Sequence, residues 1–530
     1  MKLGIDFGTT RTRVAAAIDG NYPLIHFQTE VGEGQDWYPS LIAVRGSEEA
    51  YGLQAQEHEH DSDWELCRSF KRLLGEGHPE SLFRIGQVEL PLIEWLSRFL
   101  LALKHDLSQH STLELAPEEA QEVMVGIPAN ANSNQRFLTL EAFRRAGFVV
   151  AGMVNEPSAA GIEYAHRFRK MDVSRRREHV AVYDLGGGTF DVSVISMTGR
   201  HHEVLGSEGL SRLGGDDFDE VLLQLALSQP GVASTTQKFL SRLRLLNLCR
   251  EAKESIKATT RKVTVDLGQI SIVGGEVLVS VSDFYSKCEP LVARTLAKTE
   301  SVLRSVLETV EGEWPSLACL YLVGGASELP VLARRLRDRF GKRVRRSPYP
   351  SAATAVGLAI AADDKSGYSL EERFSRYFGV WRESDYGTRI VFDPIFASET
   401  TLPAAGKEPL TITRQYHPVH NVGHFRFIEC THLRNGGEPD GDIITAEQIA
   451  FPFDPQLYQN RSLEKVPVRP WSEGSTQWIE ERYSCDPEGI VQVTISNRTA
   501  GYARTYQIRQ PLVAGSSPGP AVKRRKHAPH

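Results

Sequence analysis

The chain has 530 residues, with 61 Lys and Arg against 67 Asp and Glu for a formal net charge of -6. Its 41% hydrophobic and 24% charged residues are ordinary for a soluble globular protein with several cores, and mild acidity argues against a dedicated nucleic-acid binder. Six dispersed cysteines with no CxxC pair exclude a disulfide scaffold, and no apolar run reaches the ~18 residues of a spanning helix.

In chain order, Leu3 to Phe7 reads as a strand that returns across a Gly-Thr-Thr turn as Val14 to Ile18. Apolar residues at three- and four-residue spacing from Leu92 to Leu103 predict an amphipathic helix. Glu122 to Ile127 is a strand ending at Pro128, and Asn134 to Arg145 a helix. Val180 to Val194 forms a second hairpin across a run of glycines, Leu291 to Leu307 a further helix, and Cys319 to Val323 a short buried strand. The texture changes near Asp363, where a polar stretch predicts a linker over 363–376 after a first unit spanning 1–362. Residues 377–510 show short runs broken by Gly, Pro, Asn and Asp, including Ile490 to Ile495 and Tyr502 to Ile508, and predict a β-sandwich. Residues 511–530, with Lys523-Arg524-Arg525-Lys526, read as a disordered basic tail that solubilises the chain or, less expectedly, touches nucleic acid. Met1 to Asp6 lacks the apolar core of a signal peptide, so a cytoplasmic protein is expected and the N-x-S/T triplets at Asn460 and Asn497 carry no meaning.

The strongest signal is a repeated constellation. Asp6-Phe7-Gly8-Thr9-Thr10 sits in the first hairpin turn and Asp184-Leu185-Gly186-Gly187-Gly188-Thr189-Phe190-Asp191 in the second. Glycines let successive N–H groups converge on an anion, and threonines add hydroxyl donors. A carboxylate beside phosphate requires a cation between them, which points to Mg²⁺. A single loop of this kind could be a capped β-turn; two in one chain, each after a strand, predict a nucleotide gripped from both sides. No GxxxxGK[ST] loop or dinucleotide fingerprint competes.

The motifs GIDFGTT, GIPANANSNQR, VNEPSAA, VYDLGGGTFDVSVI, LGGDDFDE and LVGGASELP occur in the order and spacing of the nucleotide-binding domain of 70-kDa heat-shock chaperones, the DnaK type. The resemblance is strong to about residue 362 and weaker to Gln510, through DPEGIVQVTI. It implies an α/β actin-like ATPase, two-lobed with a duplicated ribonuclease-H-like core, followed by a substrate-binding β-sandwich. It also implies ATP or ADP with Mg²⁺ as ligands. By resemblance Asp6 and Asp184 hold Mg²⁺ through water, while Gly8, Thr9, Thr10 and Gly186, Gly187, Gly188 and Thr189 wrap the phosphates. Lys71, in FKRLLG, matches the catalytic lysine, Glu156 organises water around the metal, Thr189 touches the γ-phosphate and Asp191 orients the attacking water. Gly214, Gly215, Lys253, Gly324 and Gly325 match further nucleotide-binding positions, and Pro128 and Arg136 a switch and relay toward the substrate domain.

Several positions depart from the family. On the adenosine side, in a helix reading Arg250 to Lys257, Arg250 and Lys257 replace a Glu and a Ser, Glu328 replaces a stacking arginine, and Ser351 replaces an Asp. The linker Gly367 to Phe374 has isolated apolar residues where the family has an apolar docking segment, and the helical lid is expected to be missing. His417, His420 and His424 are expected to be loop histidines without a metal, and Glu57 to Asp61 a solvated face.

The leading expectation is therefore a slow ATPase and chaperone acting on unfolded or extended polypeptide, with a J-domain-type co-chaperone and an exchange factor as possible partners and no membrane. A nucleotide-gated scaffold for one dedicated protein partner ranks second, and a small-molecule kinase of the same superfamily third, opposed by the β segment.

Overall fold

The first hairpin, Lys2–Asp6 with Arg11–Ala16, lies in a five-stranded sheet ordered Val149–Asn155, Glu122–Ile127, Lys2–Asp6, Arg11–Ala16 and Tyr38–Pro39. The second, Glu178–Leu185 with Phe190–Thr198, lies in a six-stranded sheet ordered Val344–Arg346, Leu317–Val323, Glu178–Leu185, Phe190–Thr198, His201–Leu210 and Ser369–Glu371. In both, the first hairpin strand has an antiparallel partner on one side and a parallel strand on the other. This is the duplicated core of an actin-like ATPase. The computed structural model describes residues 1–508 except 29–31, 33, 60, 76, 116–118, 169–177, 230–238, 268–274, 385–388 and 461, so the basic tail lies outside the described residues.

Two helices, Glu156–Phe168 and Ala353–Ala362, fill the space between the sheets. Their approach has no room for a side chain: a Cβ on Gly357 would lie 1.8 Å from the Ala159 carbonyl oxygen, and one on Gly4 2.2 Å from the Ala359 nitrogen. Each lobe keeps its own core, around Phe7, Phe70, Phe99 and Phe143 in the first and Tyr183, Phe190, Phe218 and Phe284 in the second.

The helix expected from Leu291 begins earlier, running Val281–Val306 through Pro290. Proline costs a hydrogen bond inside a helix. Ser280 caps the upstream turn by accepting from the Asp283 N–H at 3.3 Å, and Phe284 and Cys288 are fully buried, so packing overrides the local penalty.

The C-terminal region is a β-sandwich. One four-stranded sheet orders Arg389–Phe396, Tyr377–Ser384, Val422–Cys430 and Ile444–Pro452; the other orders Leu410–Tyr416, Ile479–Cys485, Val491–Asn497 and Tyr502–Gln507. Their inner faces meet through Phe378, Phe427, Phe451, Tyr483 and Val493. Between this sandwich and the second lobe, Ser369–Glu371 adds a parallel edge strand against His201–Glu203. The paucity of apolar residues there pointed to a linker without a docking segment; main-chain pairing, which needs no apolar side chain, supplies the contact.

Candidate nucleotide site

Both hairpin turns open into one cleft between the lobes. Asp6, Gly8, Thr9, Thr10, Lys71, Glu156, Asp184, Gly186, Gly187, Thr189, Gly215, Lys253, Gly324 and Gly325 all line it. The remaining glycines hold the loops against each other: a Cβ on Gly188 would meet the Thr9 side chain at 2.7 Å, and one on Gly214 the Gly187 carbonyl carbon at 2.6 Å. The packing thus presents bare backbone at the positions where a phosphate would be cradled.

Acidic groups crowd the floor. Burial, with Glu156 adding repulsion, pushes Asp191 up to about 7, and Asp6, enclosed deep in the cleft, likewise rises to about 7. Asp184 is held well above its ordinary range for the same reasons, with Asp6 and Asp191 contributing. Lys71 answers them. Its Nζ donates to Glu156 Oε1 at 2.6 Å, both groups are buried, and although desolvation opposes it, Glu156 and Asp6 raise the lysine above its usual range. One lysine cannot neutralise four carboxyls, and a buried cluster of hard oxygen donors short of positive charge suits Mg²⁺. Asp191 Oδ1 also accepts from the Asn130 N–H at 3.4 Å.

Lys71 is delivered by the short 3-10 helix Phe70–Gly75, whose entry residue Ser69 has φ +57°, rare for a residue with a side chain. Ser69 Oγ donates to Asp216 Oδ2 at 2.7 Å, and Arg72 Nη2 donates to the Gly188 carbonyl at 2.9 Å and to Asp217 at 3.0 Å. The lysine-bearing turn of the first lobe is therefore tied to the phosphate loop of the second.

The side of the cleft expected to face a base is lined with charge. Lys253 Nζ pairs with Asp219 at 2.6 Å and donates to the Gly215 carbonyl at 2.8 Å. Arg250 pairs with Asp216 at 3.2 Å, and Arg11 Nη2 donates to Glu254 Oε2 at 2.8 Å across the mouth, its guanidinium over Trp37. Ser351 lines the cleft, whereas Glu328 and Lys257 are exposed. The helix expected to reach Lys257 stops at Glu254, so Lys257 sits in the following turn.

On the far side of the lysine-bearing turn, Pro128 and Asn130 line a small cavity with Lys71, Thr189, Arg376 and Asp442, which joins the cleft to the β-sandwich. Arg136 is buried, donates to Asn155 Oδ1 and to the Glu488 carbonyl, each at 3.2 Å, and is pulled below its usual range by that burial.

Three features escaped the sequence reading. Arg13 lines the cleft; a hairpin read as resuming only at Val14 hid it, although counting back from the turn would have placed it opposite Asp6. Glu59, expected on a solvated face, pairs with Arg68 at 2.7 Å and bonds Asn247 of the second lobe, making an interlobe contact. His424, expected in a loop with His417 and His420, lies on the strand Val422–Cys430, while His417 Nδ1 sits 2.7 Å from the Gln477 carbonyl. Among the described residues the convergent ligand-type group is His105, Asp106 and His110, at the end of the helix Leu92–Gln109.

Comparison with known proteins bears on this geometry. The Hsp70 protein family model matches residues 97–374. The chaperone protein HscA of Cronobacter sakazakii is 30% identical over 530 residues, covering 96% of this chain and 77% of the relative. HscA of Escherichia coli is 30% identical with the same coverage, and that of Pectobacterium carotovorum is 30% identical over 378 residues, 68% of this chain and 58% of the relative. With paired phosphate loops around a buried lysine and a β-sandwich beyond them, the chain belongs to the Hsp70 family.

Proposed function

We propose that the chain is an ATP-dependent chaperone of the 70-kDa heat-shock type, which hydrolyses Mg-ATP to control an extended polypeptide held by its β-sandwich. The observation that carries this reading is the convergence of both phosphate loops, Lys71 and the buried carboxyls in one cleft of an Hsp70-family chain. Residues 1–362 serve as the nucleotide-binding unit, 363–376 as the linker and 377–510 as the substrate unit, followed by the tail.

Asp6, Asp184 and Glu156 would hold the hydrated Mg²⁺, which when bound offsets phosphate charge. The amides of Gly8 to Thr10 and Gly186 to Thr189 take the phosphate oxygens, with Thr189 at the γ-phosphate. Lys71 orients the attacking water, and Asp191 positions it. Such catalysis is mostly placement and electrostatics. The base rests between charged walls, Arg11 and Glu254 closing the mouth.

The β-sandwich offers a groove of about 1000 Å³ edged by Trp381, Ile390, Val419, Val422 and Val468. An extended apolar segment would bind there through main-chain and pocket contacts. A J-domain-type co-chaperone and an exchange factor would complete the cycle, in the cytoplasm. No helix among the described residues is long and apolar enough to cross a membrane.

Steady-state ATP turnover against a panel of unfolded and apolar peptides tests the reading. Stimulation by several peptides is expected; a flat response with one stoichiometric folded partner in pull-downs would overturn it in favour of a scaffold.

A further inference from the structure

We propose that Arg13 is a phosphate-binding residue of the cleft, its guanidinium donating to an oxygen of the nucleotide's phosphate chain. The inference rests on the nucleotide reading above. Arg13 is the register partner of Asp6 across the first hairpin, so the two side chains rise from one face of the sheet. It lines the cleft with Thr9, Thr10, Lys71 and Ser351. Its side chain is nonetheless withdrawn from solvent, at 7% exposure for the residue, and among the described residues its Nε has no hydrogen-bond acceptor. The ion pair it makes is loose: Nη2 stands 3.8 Å from Asp36 Oδ1, beyond hydrogen-bond length, and the Asp36 side chain is 38% exposed.

A guanidinium keeps its proton even where burial pulls it below its usual range, as it does here. A buried cation with an unused donor, aimed into a cleft, carries a desolvation cost that an anionic ligand would recover. The planar fork of arginine matches phosphate oxygens. Asp6 supplies the alternative, that Arg13 only offsets a neighbouring carboxylate. That role would act through the Mg²⁺ that Asp6 helps to hold, so it would leave the affinity for metal-free ADP indifferent to the guanidinium, and the two readings part on this point.

Calorimetric titration of the full chain with ADP in excess EDTA, beside Mg-ADP, decides it, using wild type, Arg13→Gln and Arg13→Lys, with the nucleotide-free unfolding midpoint of each as a control. Arg13→Gln is expected to weaken ADP binding about tenfold or more both with and without Mg²⁺, as loss of a charge-assisted contact should, while its unfolding midpoint does not fall below the wild-type value. Arg13→Lys is expected to restore part of the loss. Metal-free ADP affinity within about twofold of wild type in Arg13→Gln, or equal losses in the two variants, would overturn the assignment. Should Arg13→Gln fail to fold, the arginine Nε–H resonance of Arg13 in the wild-type protein, assigned by its absence from Arg13→Lys, gives the answer. It is expected to shift on adding Mg-ADP, and an unmoved signal overturns the proposal. A wild-type chain that binds no Mg-ADP would instead defeat the nucleotide reading, and this assignment with it.

Discussion

Lys71 and Glu156 make a buried ion pair at 2.6 Å between the first-lobe turn and the start of the helix Glu156–Phe168. In the proposed mechanism a lysine so held acts in the transition state and contributes little to ground-state grip. Lys71→Ala is therefore expected to slow single-turnover hydrolysis about 100-fold or more while Mg-ADP affinity changes by about threefold at most. Rapid-quench hydrolysis beside calorimetry checks both; wild-type turnover in the variant would remove the lysine from the mechanism. The carboxyls give a second prediction. Asp6 and Asp191 both rise to about 7 in the folded chain, above the ~3.9 of an unfolded aspartate, so the folded state binds more protons between those values. Stability from these groups is complete below about pH 4 and is lost as pH rises through about 7. Asp191→Asn should raise the stability of the nucleotide-free protein at pH 8, by an order of 1–4 kcal/mol, and leave it unchanged at pH 4. Thermal unfolding across that range, without Mg²⁺, measures the difference.

Helices and strands were legible wherever their own residues carried the signal. The strands Glu122–Ile127 and Leu317–Val323 are apolar runs because parallel strands here are covered on both faces. The phosphate loops were legible for a related reason: close backbone approach demands glycine, and the demand shows in the letters. Elements stabilised by their neighbours were hidden. Ser369–Glu371 has one half-buried leucine between two exposed residues, and its strand character comes from the free edge of His201–Glu203. Arg11–Ala16 opens with charges that mimic a loop, which concealed Arg11 at the mouth and Arg13 in the cleft. The helix upstream of Pro290 is held by a tertiary core that no local pattern announces. Packing between elements also sets the steepest mutational cost. Gly357→Ala would drive a methyl to 1.8 Å from the Ala159 carbonyl where the two central helices cross. Since neither helix can move without its sheet, a loss of about 1–3 kcal/mol or more is expected in denaturant unfolding. An Ala variant as stable as wild type would mean that the crossing is looser than its geometry states.

Across the whole molecule, the β-sandwich meets the first lobe through polar groups more than apolar ones. Ile490 is the exception, buried in the first-lobe core beside Arg136 and its bond to the Glu488 carbonyl. Glu429 accepts from the Ser133 N–H at 3.1 Å, at the start of the helix Ser133–Arg145, and stands 3.5 Å from Arg376. Arg376 pairs with Asp442 at 2.9 Å and reaches Asn130 Oδ1 at 3.5 Å, the residue whose N–H faces Asp191. Glu372 accepts from both the main chain and side chain of Asn155, at 2.9 and 2.5 Å. A buried arginine that touches both the sandwich and the residue whose N–H faces Asp191 is the natural place to uncouple sandwich and cleft. Arg376→Ala strands Glu429 without its arginine, leaving the buried carboxylate to the Ser133 N–H, a cost of about 1–3 kcal/mol. Peptide stimulation of ATP turnover should therefore be lost, with basal turnover retained and the 363–376 segment cut faster by protease. If the stranded charge is the cause, adding Glu429→Gln should return part of the docking, measured as slower cleavage than in Arg376→Ala alone. Cleavage and stimulation that stay at wild-type values in Arg376→Ala would place the coupling elsewhere, in the edge strand Ser369–Glu371 and the Arg373 pair with Glu203 beside it.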